Sequence, residues 1–192
     1  MPKIVYIRSA GDKQPLRIGV SSEGESVCYT VSRRAYAELG MPAVGAELSD
    51  GEMSALCYAD ESYRAEKKAL FLLALADNNR VTLMRKLVLA GFNREIAEEA
   101  CALMISLGYI DEQRQLRTLV LADANRKFYG PGRIIPRLAA KGYRTEDIRA
   151  VMRSLVDEGE IDFNSNAHAL IDKKGAKPDE KKTILYKYGY KI

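Results

Sequence analysis

Gly130-Pro131-Gly132-Arg133-Ile134-Ile135-Pro136-Arg137-Leu138-Ala139-Ala140-Lys141-Gly142-Tyr143 is the stretch that decides the fold. Pro131 suits the first position of a helix, where its missing N–H would have no partner anyway. Gly142 suits the residue just past a helix end, where the backbone turns left-handed. The phrase has counterparts in Leu87-Val88-Leu89-Ala90-Gly91-Phe92 upstream and Leu185-Tyr186-Lys187-Tyr188-Gly189-Tyr190 downstream. Gly91 and Gly142 are 51 positions apart, as are Phe92 and Tyr143, Gly108 and Gly159, Ile110 and Ile161, and Asp111 and Asp162. Ungapped agreement over that distance identifies a duplicated unit. A third copy is offset by 47, from Pro131 to Pro178 and from Gly142 to Gly189, and the sequence ends at Ile192 without its later part.

Helical spacing fills the repeat. Ser49-x-x-Glu52 has the form of a capping box and opens a long helix to about Asp77, with Ala69, Leu70, Leu72, Leu73 and Ala76 as its apolar stripe. Asn78 or Asn79 is placed to cap the next helix, which carries Leu83, Leu87 and Val88 and stops at Gly91. Asn93 caps a helix with Ile96, Ala97, Ala100, Cys101, Met104 and Ile105 on one face, ending at Gly108. Asp111 caps the first helix of the second copy, with Leu116, Leu119, Val120 and Ala124 on one side. The Gly-Pro helix follows, then a Thr145-capped helix with Ile148, Val151, Met152, Leu155 and Val156. The third copy begins near Asn164, and its last helix is expected over Pro178–Tyr188. Tyr186, Tyr188 and Tyr190 are expected to close its core.

The front of the chain differs. Lys3–Arg8, Leu16–Val20 and Val27–Val31 read as strands of a small antiparallel meander. Gly11-Asp12-Lys13 and Glu23-Gly24-Glu25 are the turns, and Ser32 caps a short helix over Arg33–Leu39. The predicted fold is therefore mostly α. A β-rich extension (1–48) precedes tandem three-helix repeats over 49–192, divided at about 62–112, 113–163 and a truncated 164–192. Stacked repeats are expected to form an elongated, curved body.

Of the 192 residues, 47% are hydrophobic and 29% charged, a composition that buries a real core and excludes a disordered chain. No apolar run reaches membrane-spanning length and no secretory apolar core stands at the N-terminus, so a cytoplasmic location without membrane attachment is expected. Cys28, Cys57 and Cys101 are widely spaced and odd in number, which favours reduced, buried thiols over disulfides or a metal site. Residues 1–60 hold six Lys/Arg and eight Asp/Glu, whereas residues 61–192 hold 24 and 18. The excess of positive charge on the second part points to an acidic partner, or else to a merely solvated surface.

Tyr129-Gly130-Pro131-Gly132-Arg133-Ile134 with Leu138-x-x-Lys141-Gly142-Tyr143 resembles the RecX family of bacterial regulatory proteins. Leu87–Phe92 and Leu107-Gly108-Tyr109-Ile110-Asp111 reinforce the resemblance. It covers residues 62–163 well and 164–192 loosely. The resemblance implies repeats that bind the RecA recombinase and modulate its filament on DNA, in the inhibitory sense, with no catalysis. That places the chain in control of homologous recombination, DNA repair and the SOS response. Family members often carry aromatic residues in the helix after the first Ile-Asp; here Glu112-Gln113-Arg114-Gln115-Leu116-Arg117 has none.

The candidate partner contacts are basic: Arg126, Lys127, Arg133, Arg137, Lys141, Arg144, Lys173 and Lys174. Arg133, Arg137 and Lys141 recur at i, i+4 and i+8, either a binding stripe or an ordinary solvated face. Such cations suit acidic protein patches and phosphates alike, so DNA is a second expected contact of a monomeric protein. No P-loop, dinucleotide glycine pattern, zinc spacing or nucleophile elbow is present, and no catalytic residue, cofactor or metal is expected. His168, the single histidine, has no triad around it in the sequence. Two other readings stay open, a stand-alone DNA-binding module of helix-turn-helix type and a purely structural repeat adaptor.

Overall fold

The computed structural model describes residues 1–12 and 14–191; Lys13 of the expected first turn and the terminal Ile192 lie outside the described residues. Strands β1 (Lys3–Ser9), β2 (Leu16–Ser22) and β3 (Glu25–Val31) form an antiparallel sheet in the order 1-2-3. Glu23 and Gly24 join the last two at φ 52° and 87°, the left-handed pair that matches a two-residue hairpin turn to strand twist. Then follow α1 (Arg33–Glu38), α2 (Asp50–Leu75), α3 (Arg80–Leu89), α4 (Arg94–Ser106), α5 (Glu112–Leu121), α6 (Pro131–Ala139), α7 (Thr145–Asp157), α8 (Phe163–Lys174) and α9 (Lys181–Lys187). A π-helical turn, Ala122–Arg126, extends α5. The expectation of a mostly helical chain behind a small antiparallel sheet holds.

The chain divides into two compact units, Met1–Ala76 with Leu83–Leu107, and Asp77–Thr82 with Gly108–Ile192. In the first, α2 serves two partners. Its N-terminal half covers the sheet, burying Ile4, Leu16, Ile18, Val20, Val31, Leu48 and Leu56 together. The Ser49–Glu52 capping box starts the helix, with the Glu52 N–H donating to Ser49 Oγ at 3.3 Å and the Ser49 N–H to Glu52 Oε2 at 2.7 Å. Strand β3 is a sheet edge, and its Thr30 N–H donates to Asp60 of α2 at 2.7 Å. Further along, α2 packs on α4 and buries Ala65 and Ala69 completely. The Asn93 side chain caps α4 by accepting from the Glu95 N–H at 2.9 Å.

In the second unit, α5, α6 and α7 share one core of Leu116, Val120, Ala124, Ile134, Leu138, Ile148, Met152, Leu155 and Ile161. Asp111 and Asp162 cap α5 and α8 with the same φ of −117°. Helix α5, which has no aromatic residue, carries a polar contact at Gln115. Tyr143 donates to Gln115 Oε1 at 3.2 Å, and burial pushes the Tyr143 hydroxyl up to about 12. Asn79 fastens the segment before α3, accepting from the Thr82 N–H and donating to the Lys141 carbonyl, both at 2.9 Å.

The copies agree at their hinges. Gly91 and Gly142 both sit at φ +95°, Gly108 and Gly159 both at +75°, and Gly189 at +88°. Behind each of the first kind, the following aromatic N–H closes on a leucine carbonyl five back: Phe92 on Leu87, Tyr143 on Leu138 and Tyr190 on Leu185. Their cores differ in bulk. Ala65, Ala69, Ala97 and Cys101 stand in the first copy where Leu116, Val120, Ile148 and Met152 stand in the second, and all eight are buried.

Some expectations are corrected. Thr145 is already the first helical residue of α7; Arg144 holds the cap position and its side chain makes no capping bond. The last helix begins at Lys181, because Pro178–Glu180 form a turn. Cys28 and Cys57 are exposed, the former on edge strand β3, and only Cys101 is buried. Ile105 and Val156 face outward at the ends of their helices, and Tyr186 is 78% exposed and closes no core.

Arg117 ties α5 to the end of α7 through Glu158 and through Glu160, the latter at 2.6 Å. The Arg117 guanidinium, with Ser154, holds the Glu158 carboxyl down to about 2. A carboxyl lowered by folding adds stability above its unfolded range and loses it as pH falls toward the folded value. Glu158→Gln is therefore expected to be less stable than the parent at neutral pH, with the gap closing between roughly pH 5 and pH 2 in denaturant titrations. A pH-independent gap would assign the loss to packing instead.

Candidate partner-binding face of the second unit

The Gly130-Pro131-Gly132 start of α6 meets the end of α9. The Gly130 N–H donates to the Tyr188 carbonyl at 2.8 Å and the Gly132 N–H to the Gly189 carbonyl at 2.9 Å. Helix-start amides thus find the carbonyls of a helix end, which satisfies both sets and aligns their dipoles favourably. The approach leaves no room for side chains. A Cβ on Gly130 would lie 2.6 Å from the Gly189 carbonyl oxygen, one on Gly132 2.8 Å from the same atom, and one on Gly189 2.3 Å from the Arg133 nitrogen. The glycines flanking Pro131 therefore serve close backbone contact as well as the start of a helix.

Arg133 is built into this seam. Its guanidinium donates to the Lys187 carbonyl at 3.0 Å and lies 4.2 Å above the Tyr129 ring and 5.5 Å from that of Tyr188. The two rings are 5.8 Å apart and tilted. Such a cation against two aromatic rings is held by their negative quadrupoles. Lys174 approaches the Tyr188 ring at 5.9 Å, and Lys173 the Phe128 ring at 5.2 Å. Phe128 stands at φ +56°, an uncommon backbone for an aromatic residue, at the reversal between the π-helical turn and α6.

A second node lies beside it. Asp123, on the π-helical turn, is 1% exposed. Its two oxygens accept from Lys127 at 2.8 Å and from Arg137 at 2.9 Å, and its backbone carbonyl accepts from the Tyr129 N–H. A buried carboxylate held by two cations is stable only while both stay.

The eight basic residues singled out from the sequence thus fall into groups. Lys127, Arg133 and Arg137 are engaged inside the unit. Arg126 and Lys141 are exposed, and Lys141 lies past the end of α6 and off the helical stripe. Arg144 reaches Glu146 at 3.8 Å, with both side chains exposed. Lys173 and Lys174 are exposed in the last turn of α8. Sequence reasoning did not assign Asp123, Phe128 or Tyr129 a structural part. The one signal was an acid on the apolar side of α5, between Val120 and Ala124. His168 is exposed, and no group of three or more His, Cys, Asp or Glu able to hold a metal occurs among the described residues. No described helix is long and apolar enough to cross a membrane.

Two outcomes follow from the seam and the node. Gly189→Ala is expected to release the C-terminal turn, seen as faster proteolysis after α8 with the core of α5–α7 still protected. Arg137→Ala is expected to cost about 2 kcal/mol in chemical denaturation, since Asp123 keeps only Lys127. Arg144→Ala, in an exposed pair, should stay within about 0.5 kcal/mol of the parent.

No protein-family model matches the chain. Curated relatives do. The regulatory protein RecX of Pseudomonas savastanoi pv. phaseolicola is 33% identical over 117 residues, 61% of this chain and 72% of the relative. That of Stenotrophomonas maltophilia is 33% identical over 108 residues, 56% and 63% of the two chains. A crystal structure of regulatory protein RecX matches with a TM-score of 0.76 at 20% identity, over 100% of this chain and 95% of that one. RecX from Lactobacillus salivarius matches with a TM-score of 0.58 at 19% identity, over 70% and 91%. The structural neighbours share the fold, and the sequence relatives, one of them matched over most of its length, establish that this chain belongs to the RecX family of regulatory proteins.

Proposed function

We propose that the chain binds the RecA recombinase, or its filament on DNA, and inhibits it, acting as a monomer in the control of recombination and repair. Family membership carries this reading, and its relatives are named regulatory proteins. The helical repeats over 49–192 are assigned the binding and the extension over 1–48 a supporting part. The work is done by surface and charge, with no reaction centre, in the cytoplasm. The charge distribution supports it: the positive excess lies in residues 61–192. That Lys127, Arg133 and Arg137 hold hydrogen bonds or a buried carboxylate inside the second unit supports leaving them out of the contact set. Arg126, Lys141, Arg144, Lys173 and Lys174 are the cations assigned to the partner, meeting acidic protein patches first and DNA phosphates second.

The test is recombinase-driven ATP hydrolysis on single-stranded DNA, with filament length measured in parallel. The parent is expected to lower hydrolysis and shorten filaments. The double variant Lys173→Glu, Lys174→Glu should need about tenfold more protein for the same effect, equivalent to about 1.4 kcal/mol of binding, with the helix content of the parent retained by circular dichroism. A parent that changes neither quantity would end this reading. Tight, sequence-specific binding to bare duplex DNA would replace it with the DNA-binding one.

A further inference from the structure

The first unit carries a groove of about 770 Å³ that the basic residues of the second unit do not involve. Its floor is the outer side of α2, where Gly51, Ser54, Ala55 and Ala59 leave the helix backbone accessible. One wall is α1, through Glu38 and Leu39, and the other is α4, through Glu99 and Leu103. From Gly51 to Glu66 the helix advances roughly 22 Å, the reach of about six extended residues.

The chemistry of the groove is one-sided. Tyr58, Ser62 and Glu66 succeed one another at i, i+4 and i+8 along α2, so they share one side of it. The Ser62 hydroxyl oxygen is buried and has no hydrogen-bond partner. Lys67, the cation whose charge reaches Glu66, lies over the Tyr63 ring at 5.4 Å. Burial pushes the Glu66 carboxyl above its ordinary value. Across the groove, Tyr58 donates to Glu99, whose charge helps raise the tyrosine to about 12. Arg34 is the one cation on the rim, and it is paired to Glu38 at 2.9 Å. A half-buried carboxylate whose nearby cation, Lys67, lies over the Tyr63 ring, beside a hydroxyl without a partner, has hydrogen-bonding capacity to spare.

We propose that this groove docks an extended, lysine-bearing segment of a protein partner, its backbone lying along the small residues of α2 and an ammonium group set between Glu66 and Glu99. An ammonium carries three donors, enough for both carboxylates together. Charge complementarity selects the occupant. The groove lining holds three carboxylates against a single, already paired arginine. The site is independent of the recombinase reading, since it lies wholly in the first unit.

The experiment is a titration of the full isotope-labelled chain with a capped nonapeptide of alternating Lys and Ala, followed by amide chemical shifts. Shifts are expected along Ser54–Glu66 and around Glu99. Glu66→Gln, which keeps shape and removes charge, should weaken binding about tenfold, as loss of a charge-assisted contact does. Glu146→Gln on α7 should bind like the parent. The same peptide with acetylated lysines should not bind. Three results would overturn the proposal: equal affinity for the acetylated peptide, unchanged affinity in Glu66→Gln, or shifts confined to acids outside the groove. Spermine shifting the same residues with equal affinity would also overturn it, because a free amine would then suffice without a backbone in the groove.

Discussion

The left-handed glycine at the end of each second helix is the constraint on which the repeat depends. A helix that stops at such a residue can send its last carbonyls back to the following N–H groups and turn the chain for the next helix. Here the stop is written three times, at Gly91, Gly142 and Gly189, with nearly equal φ values. Yet the three glycines stand in different company. A Cβ on Gly91 would meet nothing within 4 Å, one on Gly142 would run into Val81, and one on Gly189 into Arg133. One local geometry therefore serves three tertiary purposes: a plain turn, a tight packing point and a backbone-to-backbone joint.

That joint reorganises the positive charge of the second unit. Because the α9 turn lies against the start of α6, Arg133 is drawn against two tyrosines and its guanidinium is spent on the Lys187 carbonyl. Because the π-helical turn directs Asp123 inward, Lys127 and Arg137 converge on it. A row of evenly spaced cations in the sequence becomes two internal fastenings and a smaller set of exposed charges. Stacking and buried pairing hold an arginine more firmly than water does, so these side chains specify the packing of the unit.

In the first unit the corresponding work is done by one long helix. The N-terminal half of α2 covers the sheet and its C-terminal half is the first helix of a repeat, so extension and repeat share a single backbone. The alanines at positions 65, 69 and 97 allow close helix approach where the second copy needs larger side chains. The side of the same helix that lines the groove is left with small residues, a buried hydroxyl without a partner and a half-buried carboxylate.

Sequence alone determined what closes within a few residues: the Ser49, Asn93 and Asp111 caps, the glycine stops, the hairpin at Glu23-Gly24 and the 51-residue period. Each depends on hydrogen bonds or φ preferences among near neighbours, which residue type and spacing encode directly. It also placed the core, since Leu116, Val120, Ile148, Met152 and Leu155 follow the helical period. Only the tertiary structure decided which cations are exposed, why Gly130 and Gly132 flank Pro131, that Asp123 is buried, and that Tyr186 points outward. Those outcomes rest on partners tens of positions away, such as Gly132 with Gly189 or Asp123 with Arg137. The energy of such contacts depends on distance in space, for which spacing along the chain carries no code.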